Sequence, residues 1–313
     1  MREMRARTRP TALLGALALA SMIPSRGIAA TSRAGAAGTA IAVEVDADAH
    51  VHAFSPRIFG VAYGDPVRDA QVGYPVWRWG GNSTTRYNWQ VDVHNSAADW
   101  YFENIPGAPD RSQVPPLGNA ADAFIGAALA AGSAPLMTIP TIGWTPRVDS
   151  PQEHPYFAGF SVARYGAQQS TDPWDPDAGN GVSANGTPVT GNDPHDTSSE
   201  VGADFQQGWI AHLQSAFGDA AGGGVTFYAL DNEVMLWNST QRDVHPQPTT
   251  YDETWARAAD YGAAIKQRDP AAQVTGPVTW GYCDLFGSAA DNCVDGADRQ
   301  GHGGVPFVAW YLG

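Results

Sequence analysis

From Ile58 onward, short apolar runs alternate with longer stretches of helical spacing. The runs IFGVAY (58–63), PVWRWGG (75–81), APLMTIP (134–140), VTFYAL (225–230) and AQVTGPVTWG (272–281) are bounded by Gly, Pro or polar residues and predict strands. Between them NAADAFIGAALAAG (119–132) has helical composition and a Gly stop. DFQQGWIAHLQSAFG (204–218) brings Phe205, Trp209, Leu213 and Phe217 round at four-residue spacing, and YDETWARAADYGAAIKQRD (251–269) predicts a further helix. The closing VPFVAWYLG reads as the start of another helix, and IAVEV (41–45) as an accessory antiparallel strand.

Strand followed by helix, repeated, predicts parallel strands with helical crossovers. A doubly wound nucleotide fold would carry a glycine-rich phosphate turn, and neither GxGxxG nor GxxxxGK[ST] occurs at a strand-to-helix junction. The α/β reading is therefore a (β/α)8 TIM-type barrel, whose chemistry sits at the carboxyl ends of its strands. Asp231, Asn232 and Glu233, directly after VTFYAL, occupy such an end.

The amino terminus departs from this pattern. MREMRARTRP, the apolar TALLGALALASMI and a stretch of small residues form the three parts of a secretory signal over 1–30. A linker over 31–40, an accessory strand region over 41–57 and the barrel over 58–313 follow. Export to the extracellular space, with no membrane attachment after cleavage, puts Cys283 and Cys293 in an oxidising environment, where they predict a local disulfide. A metal site or catalytic thiol there would need nearby His or Cys ligands or an evident base.

Composition narrows the partner. The 313 residues carry 32 acidic and 18 basic side chains, a formal charge of −14, which disfavours nucleic acid and anionic membranes. Eleven each of Trp, Tyr and Phe supply flat apolar faces suited to neutral sugar rings as well as to core packing. The Asp-, Gly- and Pro-rich segment 148–202 predicts a turn-rich lid. Its Asp172, Asp175, Asp177, Asp193 and Asp196 are the alternative, a structural calcium site without EF-hand spacing. No HExxH occurs, so no catalytic zinc is expected.

A carboxyl at a strand mouth, partly desolvated by rings such as Trp237, has its pKa raised and suits a general acid. Glycoside hydrolysis uses such a group with a second carboxylate about 5–5.5 Å away when configuration is retained. For Asn232 and Glu233 both to face one site, the strand must bulge or turn. An Asn-Glu pair alone fits a helix cap or a surface salt bridge equally well.

The stretches FGVAYGD, RWGGNSTTRYNW, RYGAQQSTDPWDPDAGNGV, VTGNDPHD, YALDNEVMLW and VTGPVTWGY resemble glycoside hydrolase family 44. That resemblance implies a (β/α)8 barrel with an attached β-sandwich, part of it at the amino terminus here. It implies endo-acting, retaining hydrolysis of β-1,4-glucan or xyloglucan, with no required cofactor and a monomer as the expected state. It makes Glu233 the acid/base and Asn232 a neighbour that supports substrate binding. Arg78, Trp79, Gly81 and Asn82 fall in the family's signature, with Arg78 and Asn82 either walls of the site or a hydrogen-bond cluster beneath it. Trp144, Trp237 and Trp280 are candidate substrate-binding rings, with packing as the alternative for Trp144 and Trp280. The sequons Asn82-Ser83-Thr84 and Asn238-Ser239-Thr240 are too short to weigh.

In the family the nucleophilic Glu follows the seventh strand. Only about five strands can be counted here, and none of Glu44, Glu103, Glu153, Glu200 and Glu253 ends an apolar strand run. The nucleophile is accordingly expected beyond the end of this chain, and the barrel is expected to be incomplete with an unpaired edge. Rival readings are a non-catalytic carbohydrate-binding fragment and a different retaining glycosidase, a xylanase or arabinofuranosidase.

Overall fold

The computed structural model describes Glu44, Asp46, Ala49 and residues 51–65, 67–107, 119–147 and 157–313. The expected signal and linker lie outside the described residues, as does the strand at 41–45 apart from Glu44, which is in no strand. The chain divides into residues 1–53 and 54–313, and the second unit carries the fold.

Five parallel strands form the main sheet: β1 (Gly60–Ala62), β2 (Val76–Trp79), β3 (Ala134–Ile139), β4 (Phe227–Leu230) and β5 (Gln273–Thr275). They lie side by side in chain order, with register pairs such as Arg78 with Leu136 and Met137 with Tyr228. A doubly wound sheet reverses its strand order at a switch point, whereas an unbroken order belongs to a barrel wall. Among the described residues the wall stays open. Its edge strands β1 and β5 pair on one side only and bury little on either face.

Three crossover helices cover one face: α1 (Ala120–Ala130), α2 (Ala203–Phe217) and α3 (Tyr251–Arg268). Each starts and stops for a visible reason. Asn119 caps α1 by accepting from Asp122 N at 2.7 Å, and Thr250 caps α3 from Glu253 N at 3.2 Å. Gly218 ends α2 with φ of 87°, a conformation glycine adopts without the Cβ penalty. The helices bury Phe124, Ile125, Trp209, Ile210, Leu213 and Ile265 against Trp77, Met137, Ile139 and Tyr228 of the strands. On α2 the four-residue series is the right face, with Gln206 and Ile210 widening it.

Two small antiparallel sheets lie in the loops after β2 and β3. One joins Tyr87–Asn88, Val93–Asn95 and Asn104–Pro106, and the other joins Trp144–Pro146 to Ser198–Glu200. Strands of two or three residues are too short for periodicity to reveal. The described part of 148–202, residues 157–202, is rich in turns. It contains the helical turn Val162–Tyr165 and bridges such as Thr171 with Gly179.

Beneath these loops Arg86 is fully buried. Its guanidinium donates to both Asp243 oxygens at 2.7 and 2.8 Å, to Gln241 Oε1 at 2.8 Å and to Asn95 Oδ1 at 2.5 Å. One side chain thus joins the loop after β2 to the segment between β4 and α3.

Cys283 and Cys293 form the expected disulfide, with Cα atoms 5.1 Å apart across a separation of 10 residues. It closes the loop after β5, which includes the half-turn Tyr282–Leu285. Replacing both cysteines by Ser is expected to cost about 2–3 kcal/mol in the chain-entropy model for so short a loop, read as a lower thermal midpoint. An unchanged midpoint would mean that the loop's own hydrogen bonds suffice.

Candidate active site

At the carboxyl end of β4 the backbone leaves strand geometry. Asp231 has φ of 62° and Glu233 φ of 49°, both left-handed, which is uncommon for residues other than glycine. This is the turn that alternation required for Asn232 and Glu233 to serve one place. Glu233 N donates to Val278 O at 2.8 Å, so the kink is pinned to the loop leaving β5.

The three residues then do different things. Asp231 is fully buried and accepts from Thr141 N at 2.5 Å, Thr141 Oγ1 at 3.1 Å, Thr85 Oγ1 at 2.7 Å and Asn232 N at 2.8 Å. Burial pushes its carboxyl up to about 6, against the pull of those donors. It ties the ends of β2, β3 and β4 together rather than facing an opening. Asn232 is also buried, and its Oδ1 accepts from Arg78 Nη2 at 2.6 Å and Gly81 N at 3.1 Å. Only Glu233 is half-exposed.

Burial raises the Glu233 carboxyl above the ordinary carboxylate range. The Arg78 guanidinium and the Asn232 amide pull it back, while Asp99 and Asp284 add to the rise. The result is a carboxyl that holds its proton nearer neutral pH, next to a cation and an oriented amide.

Arg78 owes its position to the two glycines after it. A Cβ at Gly80 would fall within the Arg78 guanidinium, and Gly81 has φ of 99°. Tyr63 Oη donates to Gly80 O at 2.5 Å and fixes the turn. Gly80→Ala is expected to keep the fold, since only the mobile end of Arg78 must move, but to pull the guanidinium off Asn232. Substrate affinity should then fall with the thermal midpoint within a few degrees of the parent. A large drop in midpoint with affinity intact would contradict this reading of the turn.

The other nominated residues divide. Asn82 Nδ2 donates to both oxygens of Asp99 at 3.1 and 3.0 Å, and its carbonyl accepts from Gln241, so it belongs to the hydrogen-bonded wall. Trp280 is 62% exposed after β5, with its backbone N on Asp284 Oδ2 at 2.8 Å. Trp144 is half-buried, edge-on to His195 at 5.2 Å and beside a separate open cavity of about 380 Å³. Trp237 is corrected. It is 1% exposed, packed with Ile142, Val234 and Tyr251, and has Arg257 over its ring, so no face is left for a sugar. Trp79 is corrected likewise, because its ring meets Tyr63, Tyr87 and Phe124 within 5.8 Å on the side of β2 away from Arg78.

Of the five aspartates weighed as calcium ligands, Asp175, Asp177 and Asp196 line one cavity of about 310 Å³, but Arg147 and Arg164 line it with them, which disfavours a cation. Asp177 binds Ser161 and the Ala163 amide, Asp193 and Asp196 engage His195, Arg164 and Tyr165, and Asp172 binds Trp100. Among the described residues no three His, Cys, Asp or Glu side chains form a metal-holding group. Glu103, buried beside Asp172, is pushed up to about 8 by burial and then by that neighbour. Sequence reasoning missed Asp99, Asp284 and the Gly80 turn. Gly-Gly after a strand was the one available signal, since single aspartates in loops carry none.

A model of glycoside hydrolase family 44 matches residues 93–313, more than two thirds of the chain. The chain belongs to glycoside hydrolase family 44. Among solved structures it is similar to CelM2, a bifunctional glucanase-xylanase from a metagenome library. The TM-score is 0.78 at 44% identity, over 83% of this chain and 50% of that one. Endoglucanase A of Paenibacillus lautus is 27% identical over 245 residues, which is 74% of this chain and 31% of that protein. A family 44 xyloglucanase of Paenibacillus polymyxa shares the fold, with a TM-score of 0.55 and 23% identity over 82% of this chain and 47% of that one. The chain thus spans half or less of the length of these relatives.

Proposed function

We propose that this chain belongs to a secreted, endo-acting β-1,4-glucan hydrolase that retains configuration, with Glu233 as the general acid and then the general base. The observation that carries the reading is Glu233 itself, half-exposed at a strand mouth with its pKa raised, between Arg78 and the Asn232 amide. Such a group delivers a proton to a departing glycosyl oxygen and afterwards takes one from water. Arg78 and Asn232 hold the geometry, and Trp280 offers an open ring on the loop after β5. Support from relatives is that those named above are an endoglucanase, a glucanase-xylanase and a xyloglucanase.

A retaining mechanism needs a second carboxylate. The alternative reading is binding of glucan without turnover. Reducing-sugar release from carboxymethylcellulose and xyloglucan, with xylan alongside, separates the two. Release with the β-anomer formed first supports the hydrolase. Binding to these polymers without release supports the second reading, and release of pentose alone would point to another glycosidase class.

A further inference from the structure

Asp231 is a fully buried carboxyl two residues before Glu233. Its donors are divided evenly between its two oxygens. Oδ1 accepts from Asn232 N at 2.8 Å and Thr85 Oγ1 at 2.7 Å, and Oδ2 accepts from Thr141 N at 2.5 Å and Thr141 Oγ1 at 3.1 Å. Each oxygen therefore faces one hydroxyl, which can turn round, and one backbone N–H, which cannot. An amide at this position would set its NH2 against the Thr141 N–H or the Asn232 N–H, whichever way it was flipped. The surroundings thus specify a carboxyl group and reject its nearest isostere.

These hydrogen bonds converge on a costly stretch of backbone. Asp231 and Glu233 have φ of 62° and 49°, left-handed values that persist where the surrounding structure enforces them. Thr85 lies in the loop after β2 and Thr141 in the loop after β3, so the carboxyl fixes the turn against two neighbouring strands. Beyond the turn, Glu233 N on Val278 O at 2.8 Å and Asn232 Oδ1 on Arg78 Nη2 at 2.6 Å carry the same constraint to the loop after β5 and to β2. Where Asn232 and Glu233 point is then decided at position 231.

We propose that Asp231 is a positioning residue for the acid/base chemistry, its carboxyl holding the left-handed turn that aims Glu233 away from the sheet and out to the strand mouth. The inference rests on the reading of Glu233 as the acid/base.

The test compares the parent with Asp231→Asn, Thr85→Val, Thr85→Ser and Leu213→Ala. The readouts are steady-state hydrolysis of xyloglucan and a carbon-13 NMR titration of the Glu233 carboxyl, assigned by its loss in Glu233→Gln. Asp231→Asn is expected to lower kcat about 10²-fold with a much smaller change in KM, and to bring the Glu233 titration down towards the ordinary carboxylate range. Thr85→Val removes one donor and keeps the carboxyl at 231, so it should move both readouts the same way by less. Thr85→Ser keeps the hydroxyl and should restore them. Leu213→Ala opens a cavity at a fully buried position on α2, and should lower the thermal midpoint without moving the Glu233 titration. A Glu233 titration that is unchanged in Asp231→Asn and Thr85→Val, or that shifts equally in Leu213→Ala, overturns the positioning role. If Asp231→Asn fails to fold, the two Thr85 variants decide by the same readouts. If the parent releases no sugar, the hydrolase reading fails and the titration still decides whether Asp231 sets the place of Glu233.

Discussion

Glu233→Gln is expected to lower hydrolysis of unactivated β-1,4-glucan about 10²- to 10⁴-fold while leaving glucan affinity near that of the parent protein. Gln keeps the shape and the neutral charge of the protonated acid but has no proton to give. An aryl glucoside with a good leaving group should suffer less in its first step, because that oxygen departs without protonation. The pH profile supplies the second readout. The acid is active in its protonated form, and its raised pKa puts the loss of activity above the ordinary carboxylate range as pH increases. In the Gln variant that basic limb should vanish. Unchanged turnover on polymer, or a basic limb that survives the substitution, removes Glu233 from the role.

Asp243→Ala is expected to destabilise the fold by about 3–5 kcal/mol, because it leaves the fully buried Arg86 without its counter-charge. For a domain of this size that corresponds to a fall in thermal midpoint on the order of 10 °C. Asn95 and Gln241 remain as acceptors, but neither carries charge. The double variant Arg86→Met, Asp243→Leu should recover much of the loss, since removing both charges removes the desolvation cost as well. Circular dichroism melts of the three variants check this. A single-variant loss below about 1 kcal/mol would show that water reaches Arg86 once Asp243 is gone.

Both predictions depend on loops rather than on strands, and the same division separates what was legible from what was not. The strand runs at 75–81, 134–140 and 225–230 and the helices at 119–132, 204–218 and 251–269 were readable because burying one face imposes a period on the sequence. The end of VTFYAL was readable as a place for chemistry for the same reason, since a polar triplet interrupts an apolar run where a barrel keeps its site. Trp237 and Trp79 were misplaced because an aromatic near a site in sequence has no preferred side until the backbone turns. The left-handed residues Asp231 and Glu233 set that turn.

The sequence by itself determined the order of parallel strands and helices, the carboxyl at position 233 and the Cys283–Cys293 pairing, because each depends on local spacing. Only the tertiary structure decided that Asp231 is a buried strap, that Arg78 reaches Asn232 across 154 residues and Arg86 reaches Asp243 across 157, and that Asp172 accepts from the Trp100 indole and the Trp174 backbone at once. Contacts between residues so far apart leave no period in the chain. Their energy comes from desolvated charges brought within hydrogen-bond reach, which exists only once the strands have placed the loops.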